Sequence, residues 1–172
     1  MTSPRTYRLM NFIENNLALA LVSIAIIVVE RIVKFYVTEN LRPGESVPVM
    51  GSFLSITRSE NVGAGFGVLP GQKWLFVAAA AIVLFLLVYF YSQIIYDKFL
   101  VFASAFILAG TVGNMMDRIF FGRVIDYIDL SFWPTFNLSD VSLTVGVILL
   151  LLYMYTWQGG DKKKETIKYI HY

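Results

Sequence analysis

The sequence contains no cysteine among its 172 residues and only one histidine, His171, near its C-terminal end. The first absence excludes disulfides, thiolate metal sites and cysteine nucleophiles, and the second leaves a zinc site with few partners. Charged residues are also scarce, at 15% against the roughly 25% that is usual in soluble domains. The positive residues form no long stripe interleaved with aromatics, so the sequence predicts no nucleic-acid partner. It also predicts no metal and no cofactor.

Apolar residues, in contrast, are abundant, making up 57% of the chain, and its mean hydropathy is +0.65. A helix needs about 20 mostly apolar residues to cross the hydrocarbon layer of a membrane. Four apolar segments stand out, at residues 17–29, 74–91, 99–116 and 141–157. The sequence therefore predicts a mainly α-helical membrane protein with four transmembrane helices, forming a single domain over residues 1–172.

The first apolar segment is the shortest of the four. Residues 17–29 continue into "ERIVKFYV", where Glu30 and Lys34 are one helical turn apart and can form a structural ion pair. A cleaved secretory signal is an alternative, because Arg5 and Arg8 precede the apolar core. No small-residue cleavage site follows that core, which favours a retained helix.

The third apolar segment carries small and polar residues that the others largely lack. They are Ser104, Gly110, Thr111, Gly113 and Asn114. Residues of this kind allow helices to approach closely and are less suited to contact with lipid. Residues 99–116 are therefore predicted to pack against the other helices.

Lysine and arginine are distributed as the positive-inside rule requires if both termini are cytoplasmic. The residues that set this bias are Arg5, Arg8, Lys98, Lys162, Lys163, Lys164 and Lys168. Residues 1–13 then form a cytoplasmic extension and 158–172 a solvated tail, while 37–73 and 117–140 lie outside. The alternating "SVPVMGSFLSITRS" in the first outer segment predicts a small extracytoplasmic β-sheet at the membrane surface.

Three aspartates lie in the stretch that leads into the fourth apolar segment, "GRVIDYIDLSFWPTFNLSD". Ser139 or Asp140 would cap the fourth helix by accepting a hydrogen bond from a first-turn N–H, worth about 1 kcal/mol. In an extended strand Asp126 would be a lone carboxylate on an apolar face. In a helix it would instead share a wet face with Asp129, which we expect to be an ordinary solvated loop residue.

A pair of carboxylates in a partly desolvated place has a recognised chemistry. Both members cannot ionise readily, so the pair keeps one proton over a wide pH range. One carboxylate then activates water while its protonated partner polarises a carbonyl, as in aspartic peptidases. A small transporter or channel that uses Asp126, Asp140 and Arg118 as an ion or proton relay is an alternative, and a non-catalytic scaffold is another.

Two further polar groups flank these aspartates in the sequence. One helical face carries Asn114, Asp117 and Arg118. Arg118 could form a salt bridge at the membrane border with Asp117 or another carboxylate. Alternatively, its guanidinium could bind an anionic lipid headgroup or orient a carboxylate. "ENVGAGFG" places Asn61 and Gly63 in a flexible loop that turns back towards the membrane. It is no dinucleotide fingerprint, because no strand-turn-helix unit surrounds it.

Four motifs occur in a fixed order between the apolar segments. They are "NVGAGFG" at Asn61, "GNMMDR" at Gly113, "VIDY" at Val124 and "FNLSD" at Phe136. Together they resemble the lipoprotein signal peptidase family, or signal peptidase II. Its boxes read asparagine-glycine-alanine-phenylalanine, glycine-asparagine-x-x-aspartate-arginine, valine-valine-aspartate-phenylalanine and phenylalanine-asparagine-x-alanine-aspartate. The resemblance covers residues 17–157.

The resemblance implies a membrane aspartic endopeptidase with Asp126 and Asp140 as its catalytic dyad. It removes signal peptides from diacylglyceryl-modified prolipoproteins just before the lipidated cysteine, using water activated by the dyad near the outer face of the cell membrane. The residues expected to bind substrate or support the dyad are Asn61, Gly63, Asn114, Arg118 and Asn137. Lipid-modified prolipoproteins and membrane phospholipid are the expected partners of a monomeric enzyme.

Among the chain's departures from the family pattern, those at Glu30, Ser139 and Gly65 concern charge, hydrogen bonding and loop flexibility. Glu30 replaces the usual aspartate four residues before Lys34, which makes their pairing one methylene longer. Ser139 replaces an alanine and adds a hydroxyl within reach of Asp140, and Gly65 replaces another alanine. We expect these changes to affect fine specificity rather than the class of reaction.

Overall fold

Helices account for most of the chain. A computed structural model describes residues 4–63 and 69–170 and contains, within them, five helices and four strands. Their order is α1 (Pro4–Asn40), β1 (Ser46–Met50), β2 (Leu54–Asn61), α2 (Lys73–Tyr89), α3 (Tyr91–Ile94), α4 (Lys98–Phe121), β3 (Val124–Leu130), β4 (Trp133–Phe136) and α5 (Leu138–Ile170). The prediction of a mainly helical chain with a small sheet is confirmed.

Three of the described helices are long and apolar enough to cross a membrane. They are α1, α4 and the Leu138–Thr156 part of α5, and α2 is a shorter apolar helix of 17 residues. Since α1 begins at Pro4, most of the segment predicted as an N-terminal extension belongs to this helix. The backbone of α5 likewise continues to Ile170 through most of the predicted tail, and residues 171–172 lie outside the described residues.

Helix α4 is the central helix of the bundle. In its most apolar window 61% of the residues are buried, against 11% in α1 and 17% in α5, and it contacts α1, α2 and α5. A Cβ atom added at Gly110 would collide with the backbone of Ser139 and Leu143 in α5. The prediction that small residues make this segment pack against the other helices is therefore confirmed.

The four strands form one antiparallel sheet in the order β1-β2-β3-β4. The strands predicted in the first outer segment are confirmed as β1 and β2. Strands β3 and β4 extend this sheet, so the stretch between Asp126 and Asp140 is a strand-turn-strand unit, which settles the strand alternative for Asp126. Asp126 lies opposite Ser59 of β2, and Val124 lies opposite Asn61.

The beginning of β3 is buried on both faces. Ile125 and Tyr127 join Val37 of α1 in an apolar cluster, while the side chain of Asp126 alternates to the other face and is only 2% exposed. The prediction that Asp129 is a solvated loop residue is wrong. It belongs to β3, is partly buried, and accepts a hydrogen bond from the hydroxyl of Thr57 at 2.8 Å.

Candidate active site

Asp126 and Asp140 come from different elements and line the same cavity, which has a volume of about 180 Å³. β3 contributes Asp126, and the first turn of α5 contributes Asp140. The remaining lining residues are Asn61, Arg118, Val124, Trp133, Pro134, Thr135 and Phe136. The fold thus brings together two carboxylates that are 14 residues apart in the sequence.

Asn137 links the two carboxylates directly. Its side-chain Nδ2 donates a hydrogen bond to Oδ1 of Asp126 at 2.6 Å, and its backbone N–H donates to Oδ2 of Asp140 at 3.1 Å. The side chain of Asn137 is completely buried. One residue thus holds both carboxylates, and separating the start of α5 from β3 would break a hydrogen bond to one of them.

The other two carboxylate oxygens also receive amide donors. Asn61 Nδ2 donates to Oδ2 of Asp126 at 3.0 Å, and Asn114 Nδ2 donates to Oδ1 of Asp140 at 2.7 Å. Asn61 is itself oriented, since its Oδ1 accepts the N–H of Gly63 at 2.9 Å. Four oxygens thus meet four neutral donors, which stabilise negative charge without adding a formal positive charge.

Asn137 also caps α5. Its Oδ1 accepts the N–H of Asp140 at 2.9 Å while Asp140 accepts the N–H of Asn137, a reciprocal arrangement known as a capping box. The prediction that Ser139 or Asp140 would cap this helix is wrong in position. The reason is that α5 begins at Leu138, three residues before the apolar run that marks it in the sequence.

Arg118 lies beside the dyad cavity and contacts mainly backbone oxygens and an aromatic ring. Its guanidinium donates to the carbonyl of Gly63 at 3.2 Å and to that of Asn114 at 3.4 Å, and it stands 4.9 Å from the ring centre of Phe76. Asp117, its neighbour, turns to the opposite side. Of the alternatives considered for Arg118, pairing with Asp117 is therefore not the one that the structure shows.

Asp117 belongs to a buried ion network that joins α4 to α1. Its Oδ1 pairs with Arg31 at 2.6 Å and its Oδ2 with Lys34 at 2.6 Å, while Lys34 also pairs with Glu30 at 2.7 Å. The Glu30–Lys34 ion pair expected from the sequence is thus present, with both side chains 5% exposed or less. Two acids and two bases make the formal charge of this network zero.

Burial of Asp126 raises the pKa of its carboxyl to about 6, from an ordinary value of 3.8. Loss of hydration is the main cause. The hydrogen bond from Asn61 opposes it, the charge of Asp140 adds to it, and the hydrogen bond from Asn137 opposes it again. Asp126 therefore binds a proton in a pH range where an exposed aspartate is fully ionised.

Ser139 does not interact with Asp140 in the way its position suggests. Its hydroxyl donates instead to Oε1 of Glu30 at 3.0 Å, and the hydroxyl of Tyr127 donates to Oε2 of the same carboxylate at 2.7 Å. Burial and the neighbouring charge of Glu30 raise the pKa of Tyr127, which keeps this hydroxyl a donor. These contacts join residues about 100 positions apart, so no local pattern in the sequence announces them.

An apolar groove of about 290 Å³ adjoins the dyad cavity and shares Arg118 and Asp140 with it. Its other lining residues are Phe76, Ala79, Ala80 and Val83 of α2, Gly110, Thr111, Asn114 and Met115 of α4, and Leu143 of α5. The two aspartates thus lie in a cavity of mixed polar and apolar lining that opens beside a more apolar groove. Among the residues that the structure describes, no three His, Cys, Asp or Glu side chains are grouped so that they could hold a metal ion.

The model of the signal peptidase (SPase) II family matches residues 22–156 of the chain. The chain belongs to the signal peptidase II family. A lipoprotein signal peptidase of Halothermothrix orenii is 38% identical over 139 residues, which cover 80% of this chain and 94% of that protein. One from Staphylococcus aureus (strain JH9) is 34% identical over 150 residues, covering 84% and 92%.

A solved structure of a bacterial membrane enzyme has the same fold as this signal peptidase II family member. The two chains superpose with a TM-score of 0.76 at 33% identity, over 80% of this chain and 87% of the other. Membership in a family of proteases decides against the transporter and scaffold alternatives and supports the resemblance seen in the four motifs. Together with the apolar helices, it makes the chain a membrane protease.

Proposed function

We propose that the chain cleaves diacylglyceryl-modified prolipoproteins just before the lipidated cysteine, with Asp126 and Asp140 as its catalytic dyad. The observation that carries this proposal is the position of Asn137, which donates to both carboxylates at the edge of one cavity. Capping of α5 involves only one of these acids, Asp140, and does not account for Asp126 being held beside it. Two acids held together against their mutual repulsion suit general acid-base catalysis.

The two aspartates take different roles in the proposed reaction. Asp140 lies in the first turn of α5, where the positive end of the helix dipole and a backbone N–H favour its charged form. Asp126 is almost completely buried and holds its proton more tightly. Asp140 then removes a proton from water as the water attacks the scissile carbonyl, and Asp126 donates a hydrogen bond to the carbonyl oxygen.

The apolar groove beside the dyad fits the hydrophobic part of a signal peptide. It runs between α2, α4 and α5, and its edge carries Arg118 and Asp140. An apolar peptide lying in this groove would place its cleavage site against the dyad cavity. Arg118 and the backbone at Gly63, which contact each other, stand where the two cavities meet and would orient the peptide backbone or a lipid headgroup.

The lengths of the helices support a membrane arrangement with four spans. At 1.5 Å per residue the 17 residues of α2 extend about 26 Å, close to the hydrocarbon thickness of about 30 Å. Both termini are then cytoplasmic, as the lysine and arginine bias favours, and the sheet and dyad lie at the outer face. The proposed enzyme acts as a monomer.

Cleavage of a lipidated substrate tests the dyad assignment. Asp126→Asn and Asp140→Asn should each abolish cleavage of a peptide that carries a lipobox and a diacylglyceryl-modified cysteine, with the protein purified in detergent. Asp129→Asn is the matched control, because it removes a carboxylate from the same strand but outside the cavity lining. Wild-type cleavage by either dyad variant, or loss of cleavage in the control, would contradict the assignment of Asp126 and Asp140 as the dyad.

A further inference from the structure

Tyr127 directly follows Asp126 in the sequence, and Ser139 directly precedes Asp140. The hydroxyls of Tyr127 and Ser139 both donate to the carboxylate of Glu30. The hydrogen bonds are 2.7 Å from Tyr127 and 3.0 Å from Ser139. We infer that Glu30 is a positioning residue, which fixes β3 and α5 relative to each other through these hydroxyls and so sets the placement of Asp126 and Asp140. This inference rests on the proposed function of the dyad.

The surroundings of Glu30 make this connection rigid. Its carboxylate is 0% exposed and is held from α1 by the ion pair with Lys34 at 2.7 Å. The hydroxyl of Tyr127 donates to Glu30 and at the same time accepts the N–H of Leu138 at 3.1 Å. Leu138 is the first residue of α5, so a continuous path of hydrogen bonds runs from the carboxylate to the start of the helix that carries Asp140. Hydrogen bonds to an ionised group inside a protein are shorter and stronger than neutral ones.

The direction of the Ser139 side chain is fixed from the other side by α4. A Cβ atom added at Gly113 would collide with the hydroxyl of Ser139, and it would lie 3.8 Å from the side chain of Glu30. A glycine at this position therefore leaves the space that the Ser139 hydroxyl occupies when it reaches Glu30. Three elements, α1, α4 and α5, meet at this hydrogen bond.

The longer acid and the two hydroxyls depend on one another. An aspartate in place of Glu30 would withdraw the carboxylate by one methylene, about 1.5 Å, which is enough to break both hydrogen bonds. The family pattern given above has aspartate at the position of Glu30, and its third and fourth boxes have phenylalanine and alanine at the positions of Tyr127 and Ser139. In this chain the three differing residues meet at one carboxylate.

Kinetics of variants that lack only a hydroxyl test this inference. The measurement is cleavage of the diacylglyceryl-modified lipobox peptide, with kcat and KM determined separately for Tyr127→Phe, Ser139→Ala and the double variant. The double variant should lose about tenfold or more in kcat with KM nearly unchanged, because small displacements of reacting groups lower the rate of the chemical step. Glu30→Asp should show a similar loss, and combining it with the double variant should add little.

Asn15→Ala provides the matched control for simple destabilisation. Asn15 is a buried residue of the same helix, and its Nδ2 donates to the carbonyl of Ile95 at 2.7 Å, away from the dyad. This variant should melt earlier but keep the wild-type kcat. A wild-type kcat in the double hydroxyl variant would overturn the positioning role, and so would losses that multiply when Glu30→Asp is added.

Asp126→Asn assayed in parallel separates this inference from the proposed function. Activity in Asp126→Asn overturns the dyad itself, whatever the hydroxyl variants do. An inactive Asp126→Asn together with a fully active Tyr127→Phe/Ser139→Ala variant leaves the dyad in place and overturns only the positioning role of Glu30.

Discussion

Asp126→Asn should inactivate the protein without lowering its stability at pH 8. The pKa of the Asp126 carboxyl is about 6 in the folded chain against an ordinary 3.8, so the folded state binds this proton more tightly than the unfolded state. The stability that this group contributes is therefore present below pH 3.8 and is lost as the pH rises through about 6. A pKa raised from 3.8 to about 6 corresponds to roughly 3 kcal/mol of stability, about half of which is already lost at pH 5.

The Asp126→Asn variant removes the cost of burying a charged carboxylate but introduces a smaller cost in hydrogen bonding. Asp126 accepts hydrogen bonds from Asn61 at 3.0 Å and from Asn137 at 2.6 Å, and an amide in its place has only one acceptor oxygen. The donor left without a partner costs about 1 to 3 kcal/mol. At pH 8 the variant should thus be as stable as the wild type or up to about 2 kcal/mol more stable. At pH 5 the difference in the free energy of unfolding between the two proteins should change by about 1.5 kcal/mol in favour of the wild type.

Thermal or chemical denaturation of both proteins in detergent at pH 5 and at pH 8 measures this difference in the free energy of unfolding. Asp129→Asn again serves as the control for loss of a carboxylate from β3. The reasoning would be refuted if Asp126→Asn lost more stability at pH 8 than at pH 5. That result would mean that the charge of Asp126 stabilises the fold, in which case its burial would be structural.

Four further predictions follow from the same contacts. Cleavage should decline as the pH rises above about 6, because the dyad then loses its shared proton; a pH profile of kcat/KM that stays flat to pH 8 would contradict this. Asn137→Ala should lower unfolding stability by about 1 to 2 kcal/mol through loss of the helix cap and should also impair cleavage; a stable, fully active variant would contradict both roles. Gly113→Ala should lower the melting temperature in wild type but less in a Ser139→Ala background, because the added Cβ collides with the Ser139 hydroxyl; equal effects in both backgrounds would argue against that collision. Asp117→Asn should cost about 3 to 5 kcal/mol, since it leaves two buried or half-buried cations without their shared partner; a loss below 1 kcal/mol in a denaturation experiment would show that they are solvated.

Much of the site could be predicted because its residues lie in short motifs at the ends of strongly apolar segments. One of the two alternatives for Asp126, an alternating strand, placed its carboxylate among apolar residues, and β3 has that form. The central position of α4 followed from its small residues. Both are consequences of local periodicity, which the sequence displays directly.

The partners of the charged residues could not be predicted in the same way. Asp117 has an arginine as its neighbour in the sequence, yet it pairs with Arg31 and Lys34, more than 80 positions away. Helix packing decides that choice, and a single sequence does not contain the crossing geometry of α1 and α4. The cap of α5 could have been predicted from the sequence, because Asn137 and Asp140 have the spacing of a capping box. The apolar run begins only at Val141, however, and so indicated a later start than the observed one at Leu138.

The distribution of charge around β3 explains how a carboxylate can stay protonated so close to several cations. On one side of the strand, Glu30 and Asp117 neutralise Lys34 and Arg31, so this cluster has no net charge. On the other side, asparagine amides supply the donors that hold the dyad. Had free cations taken the place of those amides, they would have lowered the pKa of Asp126 and removed the shared proton. The proposed acid-base catalysis by two aspartates thus depends on the acids behind the strand, which neutralise Lys34 and Arg31. It depends as well on the neutral amides in front of the strand, which hold both carboxylates without adding to the charge of Arg118 at the cavity wall.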